Sequence, residues 1–212
     1  MELVISHCNE DLSFLKLLDL NVFDQIILYR KNPECVDFFH SFDHVVKMLP
    51  NVGRCDHTYL THIINRYDDL SDITVFVPGS CDIEMKFAKL ITVLTQTLET
   101  KQSCALVHNV TDVRKHFEDF QLTEYDCMHH KNPKGVPMKL CEYRPFGKWW
   151  TMVFGDYLYD KVTYEGIFAI KREDILKRPK DFYQNLISFV DQHNNPEAGH
   201  YIERSWCAVF QL

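Results

Sequence analysis

The residues best suited to chemistry in this chain stand at the ends of short apolar runs. His7, Asn9 and Glu10 follow the run 3–6, and Tyr29, Arg30 and Lys31 close the run that starts at Ile26. Asn51, Gly53 and Arg54 follow 45–49, and Pro78, Gly79, Ser80 and Asp82 follow 73–77. If those runs are parallel strands, ligands bind beyond their carboxyl ends, and the four sets line one edge. Asn9 or Asp82 alone is equally well read as a helix cap, so the argument rests on their joint position. Within Asn51-Val52-Gly53-Arg54, Gly53 allows close backbone approach and Arg54 stands at the head of a helix, an arrangement suited to phosphate. Ser80, Asp82 and Glu84 alternate as hard oxygen donors for Mg²⁺ or Mn²⁺, or else complement the dipole of the next helix. Glu203 sits mid-helix beside Ile202 and Trp206. It can pair with Arg204, or, partly desolvated, act as a general base.

The elements needed to position these residues are legible in the hydropathy. Runs at 3–6, 26–29, 45–49, 73–77 and 104–108 predict buried strands. Between them lie a helical pattern at Leu12, Leu15, Leu17 and Leu18, a helix with Leu60, Ile63, Ile64 and Tyr67 on one face, and a helix over 84–98. Asp56 is the expected N-cap of the second of these. Strands alternating with helices predict an α/β fold, a single domain with a central, mostly parallel sheet flanked by helices. Beyond residue 111 the pattern changes. Residues 126–148 carry three prolines and two glycines and predict a long loop, with His129-His130 solvated inside it. Strand-like runs return at 150–154 and 166–170, and helices are expected over 179–192 and 196–210, the latter capped by Asn195 with Pro196 first. The change of pattern divides the domain into halves, 1–110 and 111–212.

Composition narrows the function classes. The 212 residues carry a net charge of −7, which argues against a protein that coats nucleic acid. No apolar run approaches a membrane span, and Glu2 stands where a signal peptide has a basic residue, so a cytoplasmic protein is expected. The eight cysteines form no C-x-x-C pair and read as buried reduced thiols. Eleven histidines show no zinc spacing, and neither a dinucleotide fingerprint nor a P-loop is present. The chain stops directly after a predicted helix, as one module of a longer polypeptide would.

Taken in order, Val4-Ile5-Ser6-His7-Cys8-Asn9-Glu10-Asp11, Leu49-Pro50-Asn51-Val52-Gly53-Arg54, His57-Thr58-Tyr59-Leu60 and Thr74-Val75-Phe76-Val77-Pro78-Gly79 resemble glycosyltransferases of the GT-A fold. They are most similar to the small glycosyltransferase modules of large algal DNA viruses. Tyr164-Glu165-Gly166-Ile167-Phe168-Ala169-Ile170 with Arg172, and Glu203-Arg204-Ser205-Trp206, extend the resemblance over nearly the whole chain. It implies a UDP-sugar donor, a glycan or glycoprotein acceptor, Mn²⁺ or Mg²⁺, and the host cytoplasm if the chain is virus-encoded. It also implies a nucleotide-binding half over 1–110, an acceptor-side half over 111–212, and nucleotide contacts from His7, Asn9, Glu10, Arg54, His57, Gly79 and Ser80. The Asp-x-Asp metal motif expected after the fourth strand is replaced by Pro78-Gly79-Ser80. Metal ligands are then sought among Ser80, Asp82 and His200, with UDP binding better in Mn²⁺ than in EDTA. Glu203 is the first choice of base and Asp156 the second, while Trp149 and Trp150 either stack on sugar or belong to the core. A different class stays open, a catalytically inert nucleotide- or sugar-binding module, and a metal-dependent phosphohydrolase is a weaker third.

Overall fold

A computed structural model of the protein describes residues 1–35, 43–110, 117–123, 137–156 and 160–212. Six strands form one sheet: β1 (Glu2–His7), β2 (Gln25–Arg30), β3 (Val45–Met48), β4 (Ile73–Pro78), β5 (Cys104–Asn109) and β6 (Lys161–Lys171). Their order is β3-β2-β1-β4-β6-β5. The β1 strand pairs in parallel with β2 and β4, and β2 with β3, whereas β6 runs antiparallel to both β4 and β5. The expected α/β architecture is therefore present, with one antiparallel strand inserted into an otherwise parallel sheet. Every residue of β1 and β4 is buried, as befits strands covered on both faces.

Side chains alternate across the sheet and divide the core in two. Val4, Ile27, Tyr29, Phe76, Phe168 and Ile170 face one layer. Into it pack α1 (Arg54–Arg66), α3 (Phe146–Phe154), α5 (Lys180–Ile187) and α6 (Glu197–Phe210). Leu3, Ile5, Ile26, Leu28, Val75, Val77, Ile167 and Ala169 face the other, covered by α2 (Glu84–Thr100) and the turns around Phe14. A short α4 (Arg172–Ile175) follows β6. Glu2 is fully buried in the first layer, 3.0 Å from His62 Nε2, and His62 Nδ1 lies 3.2 Å from the Tyr29 hydroxyl.

Several expectations need correction. The run 150–154 is not a strand but the end of helix α3, because Phe146, Trp149 and Trp150 recur at helical spacing and bury one face. Both tryptophans are core residues, at most 2% exposed, and so cannot stack on a sugar. The leucines near the start form 3₁₀ turns, Ser13–Leu17 and Leu20–Val22, instead of a helix. The helix expected to reach residue 192 ends at Ile187, and the last helix opens at Glu197 after Pro196. The seven described cysteines are free thiols, and Cys127 and His129-His130 lie outside the described residues. Of the loop expected over 126–148, only 137–148 is described. No helix among the described residues is long and apolar enough to cross a membrane.

Glu197, at the head of α6, is fully buried. Its carboxylate accepts from the backbone N–H groups of Leu122 and Cys141, each at 2.9 Å, and from the Tyr201 hydroxyl at 2.8 Å. Arg144 Nε lies 3.1 Å away. One carboxylate thus ties two irregular segments to α6. Glu197→Ala leaves the half-buried Arg144 guanidinium and the Leu122 and Cys141 amides without their shared acceptor, a loss of about 3–5 kcal/mol. With a slope of roughly 2 kcal/mol/M, the urea midpoint should fall by about 2 M. A midpoint within experimental error of the parent would show that these segments are held elsewhere.

Candidate functional site

Opposite Leu106 of β5, β6 carries extra residues. Ala105 pairs with Phe168 and Val107 with Thr163, so 164–167 bulge outward. Glu165 and Gly166 take left-handed backbone conformations there, with φ of 69° and 63°. The peptide groups so released serve three helices. The Tyr164 carbonyl accepts from Lys89 Nζ of α2 at 2.6 Å, and the Gly166 carbonyl from the Tyr59 hydroxyl of α1 at 2.9 Å. The Glu165 N–H donates to Glu203 Oε1 of α6 at 2.7 Å. Gly166 must lack a side chain, since a Cβ would lie 3.1 Å from Cys55 Sγ.

Against this bulge the head of α1 meets α6. Gly53 and Arg54 are both left-handed, with φ of 60° and 53°, and a Cβ on Gly53 would lie 2.3 Å from the Val190 carbonyl oxygen. The loop is held from below by Lys31, whose buried ammonium donates to the carbonyls of Val52, at 2.6 Å, and Arg54. Burial pushes the Lys31 ammonium down to about 8. Arg54 Nη1 lies 2.8 Å from His200 Nε2, joining residues far apart in sequence. Burial, with Arg54 and then Arg204 alongside, holds His200 neutral by lowering its pKa far below the usual imidazole value. A neutral ring that accepts at Nε2 carries its proton on Nδ1, which faces Glu203 Oε2 at 3.8 Å. Arg204 Nη1 is also 3.8 Å from that oxygen.

Asp56 is not the N-cap of α1. Gly53 precedes the helix, and Asp56 is buried one turn inside, accepting from Trp206 Nε1 at 2.9 Å. Burial, then the nearby Glu203, push its carboxyl up to about 7, while Arg54 and the Trp206 bond oppose them. His57, in the same turn, is pushed down to about 4 by burial and by Lys31.

The other strand ends complete the edge. His7 is buried, with Nε2 3.0 Å from the Glu10 carbonyl oxygen. Glu10 Oε2 accepts from the N–H groups of Cys8, at 2.7 Å, and Asn9, at 3.1 Å. Asn9 is exposed and accepts from Asn32. A Cβ at Gly79 would lie 2.8 Å from Glu10 Oε2 and 3.1 Å from the Ser6 carbonyl oxygen, so glycine there lets the β1 and β4 ends lie close to each other. Ser80 Oγ accepts from Lys86 Nζ of α2 at 2.7 Å. Arg54, His200 and Glu203 are therefore brought together, as are Glu10 and Gly79. Asp82 is exposed at the end of the turn Gly79–Asp82. Asp156 is exposed just beyond α3, and no described contact joins it to the others.

The expected Mn²⁺ or Mg²⁺ does not fit this donor set. His200 Nε2 is directed at Arg54, an ammonium stands on the Ser80 hydroxyl, and among the described residues no three His, Cys, Asp or Glu side chains gather to hold a metal. Sequence reasoning overlooked Lys86 and treated Lys31 as one polar residue among several. The signal available for Lys31 was a lysine directly closing an apolar strand. For Lys86 it was a lysine one turn into the helix that follows the Gly79-Ser80 turn.

A family model described as "Protein of unknown function (DUF3431)" matches residues 3–212. No curated protein matches. Among solved structures, CMP:2-keto-3-deoxy-manno-octonic acid synthetase complexed with CTP is similar, at 12% identity over 88% of this chain and 77% of that chain. Its TM-score is 0.39.

The buried Asp56 makes stability depend on pH in a definite direction. Its carboxyl titrates near 7 when folded, against 3.8 ordinarily, so the native chain keeps a proton that the unfolded chain releases. The stability this provides is complete below about pH 4 and is lost as pH rises through about 7. Asp56→Asn still accepts from Trp206 but cannot ionise. Its melting temperature should match the parent near pH 4 and exceed it increasingly toward pH 8, by up to roughly 4 kcal/mol of stability. A difference independent of pH would mean that Asp56 keeps an ordinary carboxyl.

Proposed function

The chain belongs to the DUF3431 family, and for it we propose transfer of a sugar from a nucleotide diphosphate-sugar, a UDP-sugar, to the hydroxyl of a glycan or glycoprotein acceptor. One observation carries this reading. Arg54, at the head of α1, is aligned by His200 beside the Glu203 carboxylate, all at the carboxyl edge of the sheet. A cation at a helix head suits a diphosphate, and a carboxylate next to it suits an incoming hydroxyl.

In this mechanism the acceptor oxygen bonds to the anomeric carbon while the bond from that carbon to the diphosphate oxygen breaks. Glu203 takes the acceptor proton, and Arg54 stabilises the charge that grows on the departing UDP. Oε2 is the oxygen suited to that role, because Oε1 already accepts the Glu165 N–H. His7, Asn9, Glu10, His57, Gly79 and Ser80 line the nucleotide side, and residues 111–212 supply the acceptor side. Binding of UDP without turnover is the competing reading, favoured by that same engagement of Oε1.

UDP release that requires an acceptor separates the two. Glu203→Gln preserves the bond to Glu165 but cannot accept a proton, so turnover should fall by about two to four orders of magnitude with nucleotide affinity nearly unchanged. Arg54→Ala should instead weaken UDP binding about tenfold or more. Normal turnover per folded molecule in Glu203→Gln would remove it as the base.

A further inference from the structure

We propose that this edge holds the diphosphate of its nucleotide with Lys86 and Arg54 in place of a divalent cation. This rests on the nucleotide reading above and specifies how its phosphates are held. Mg²⁺ or Mn²⁺ takes oxygen-rich coordination, usually with carboxylates in the first shell. Here the Ser80 hydroxyl accepts from the Lys86 ammonium at 2.7 Å, and His200 Nε2 faces the Arg54 guanidinium at 2.8 Å. A metal on either atom would sit within a few ångströms of a fixed positive charge, and the two would repel.

The same two cations provide what a metal would provide. Arg54 stands at the head of α1, and Lys86 in the first turns of α2, each helix following a strand of the sheet. The β6 bulge brings both cations around one region: its Glu165 amide meets Glu203, beside the His200 that faces Arg54, while its Tyr164 carbonyl meets Lys89, one turn from Lys86 on α2. Lys89, one turn further along α2, is already committed to the Tyr164 carbonyl and to Glu165 at 3.6 Å. Lys86 instead meets the neutral hydroxyl of Ser80. An ammonium and a guanidinium together bring two positive charges and several N–H donors to a diphosphate.

Calorimetric titration of the full chain with UDP, in EDTA and in Mn²⁺, tests the proposal. The expected dissociation constants agree within about twofold, and Lys86→Gln raises both about tenfold or more, as loss of a charge-assisted bond does. Binding restored by Mn²⁺ and abolished by EDTA would overturn the cation-only site and leave the nucleotide reading standing. No UDP binding in either buffer would remove both. The comparison on the parent chain decides the metal question even where Lys86→Gln fails to fold. A folded Lys86→Gln with unchanged affinity would overturn the role of Lys86.

Discussion

Arg54 donates to His200 only while that imidazole is neutral, and much of the site depends on this. Burial disfavours the imidazolium, and the guanidinium groups of Arg54 and Arg204 disfavour it further. Neutrality fixes the tautomer. With Nε2 accepting from Arg54, the proton sits on Nδ1 and turns toward Glu203. Glu203 in turn accepts from the bulged amide of Glu165. A single line of contacts therefore runs from the head of α1, through two residues of α6, to the backbone of β6. A protonated His200 would present a donor to a donor and break that line at its centre.

The β6 bulge anchors this line, and its placement follows from the sheet order. Because β6 lies between β4 and β5, its middle faces the helices on both layers. Two consecutive left-handed residues are unfavourable, and Glu165 bears that cost without the freedom of glycine, on the order of 1 kcal/mol. The strain is sustained because each displaced peptide group gains a partner from a different helix: Lys89, Tyr59 and Glu203. Gly166 lets α1 come close at the same point. The irregularity is thus the shared support of α1, α2 and α6.

The sequence carried the layering and the strand ends more clearly than it carried the contacts among them. Alternation in β1, β2 and β4 is so regular that the two core layers follow from position alone, and His7, Gly79 and Arg54 fall at the edge those strands define. What periodicity could not deliver is pairing across long separations. Nothing local links Arg54 to His200, 146 residues away, or the Glu165 amide to Glu203. The error at Asp56 has the same origin. An aspartate near a helix start is a good cap by local rules, yet here Trp206 reaches it from α6 and draws it into the interior. The misread 150–154 is different, since a short apolar run is ambiguous between strand and buried helix until its neighbours are known.

The charge balance resolves an apparent conflict between an acidic protein and an edge proposed to hold an anion. A net charge of −7 opposes an approaching phosphate at long range. At physiological ionic strength, however, exposed charges more than about 8 Å away are largely screened, so the local set governs binding. That set contains Lys31, Arg54, Lys86 and Arg204 against Glu10, Glu203 and an Asp56 whose carboxyl is partly protonated at neutral pH. Burial acts on Asp56 and Lys31 in opposite senses, pushing the carboxyl up to about 7 and the ammonium down to about 8. Near pH 7 the lysine therefore remains mostly charged while the aspartate does not. Desolvation thus weakens the carboxylate charge of Asp56 before it weakens the ammonium charge of Lys31.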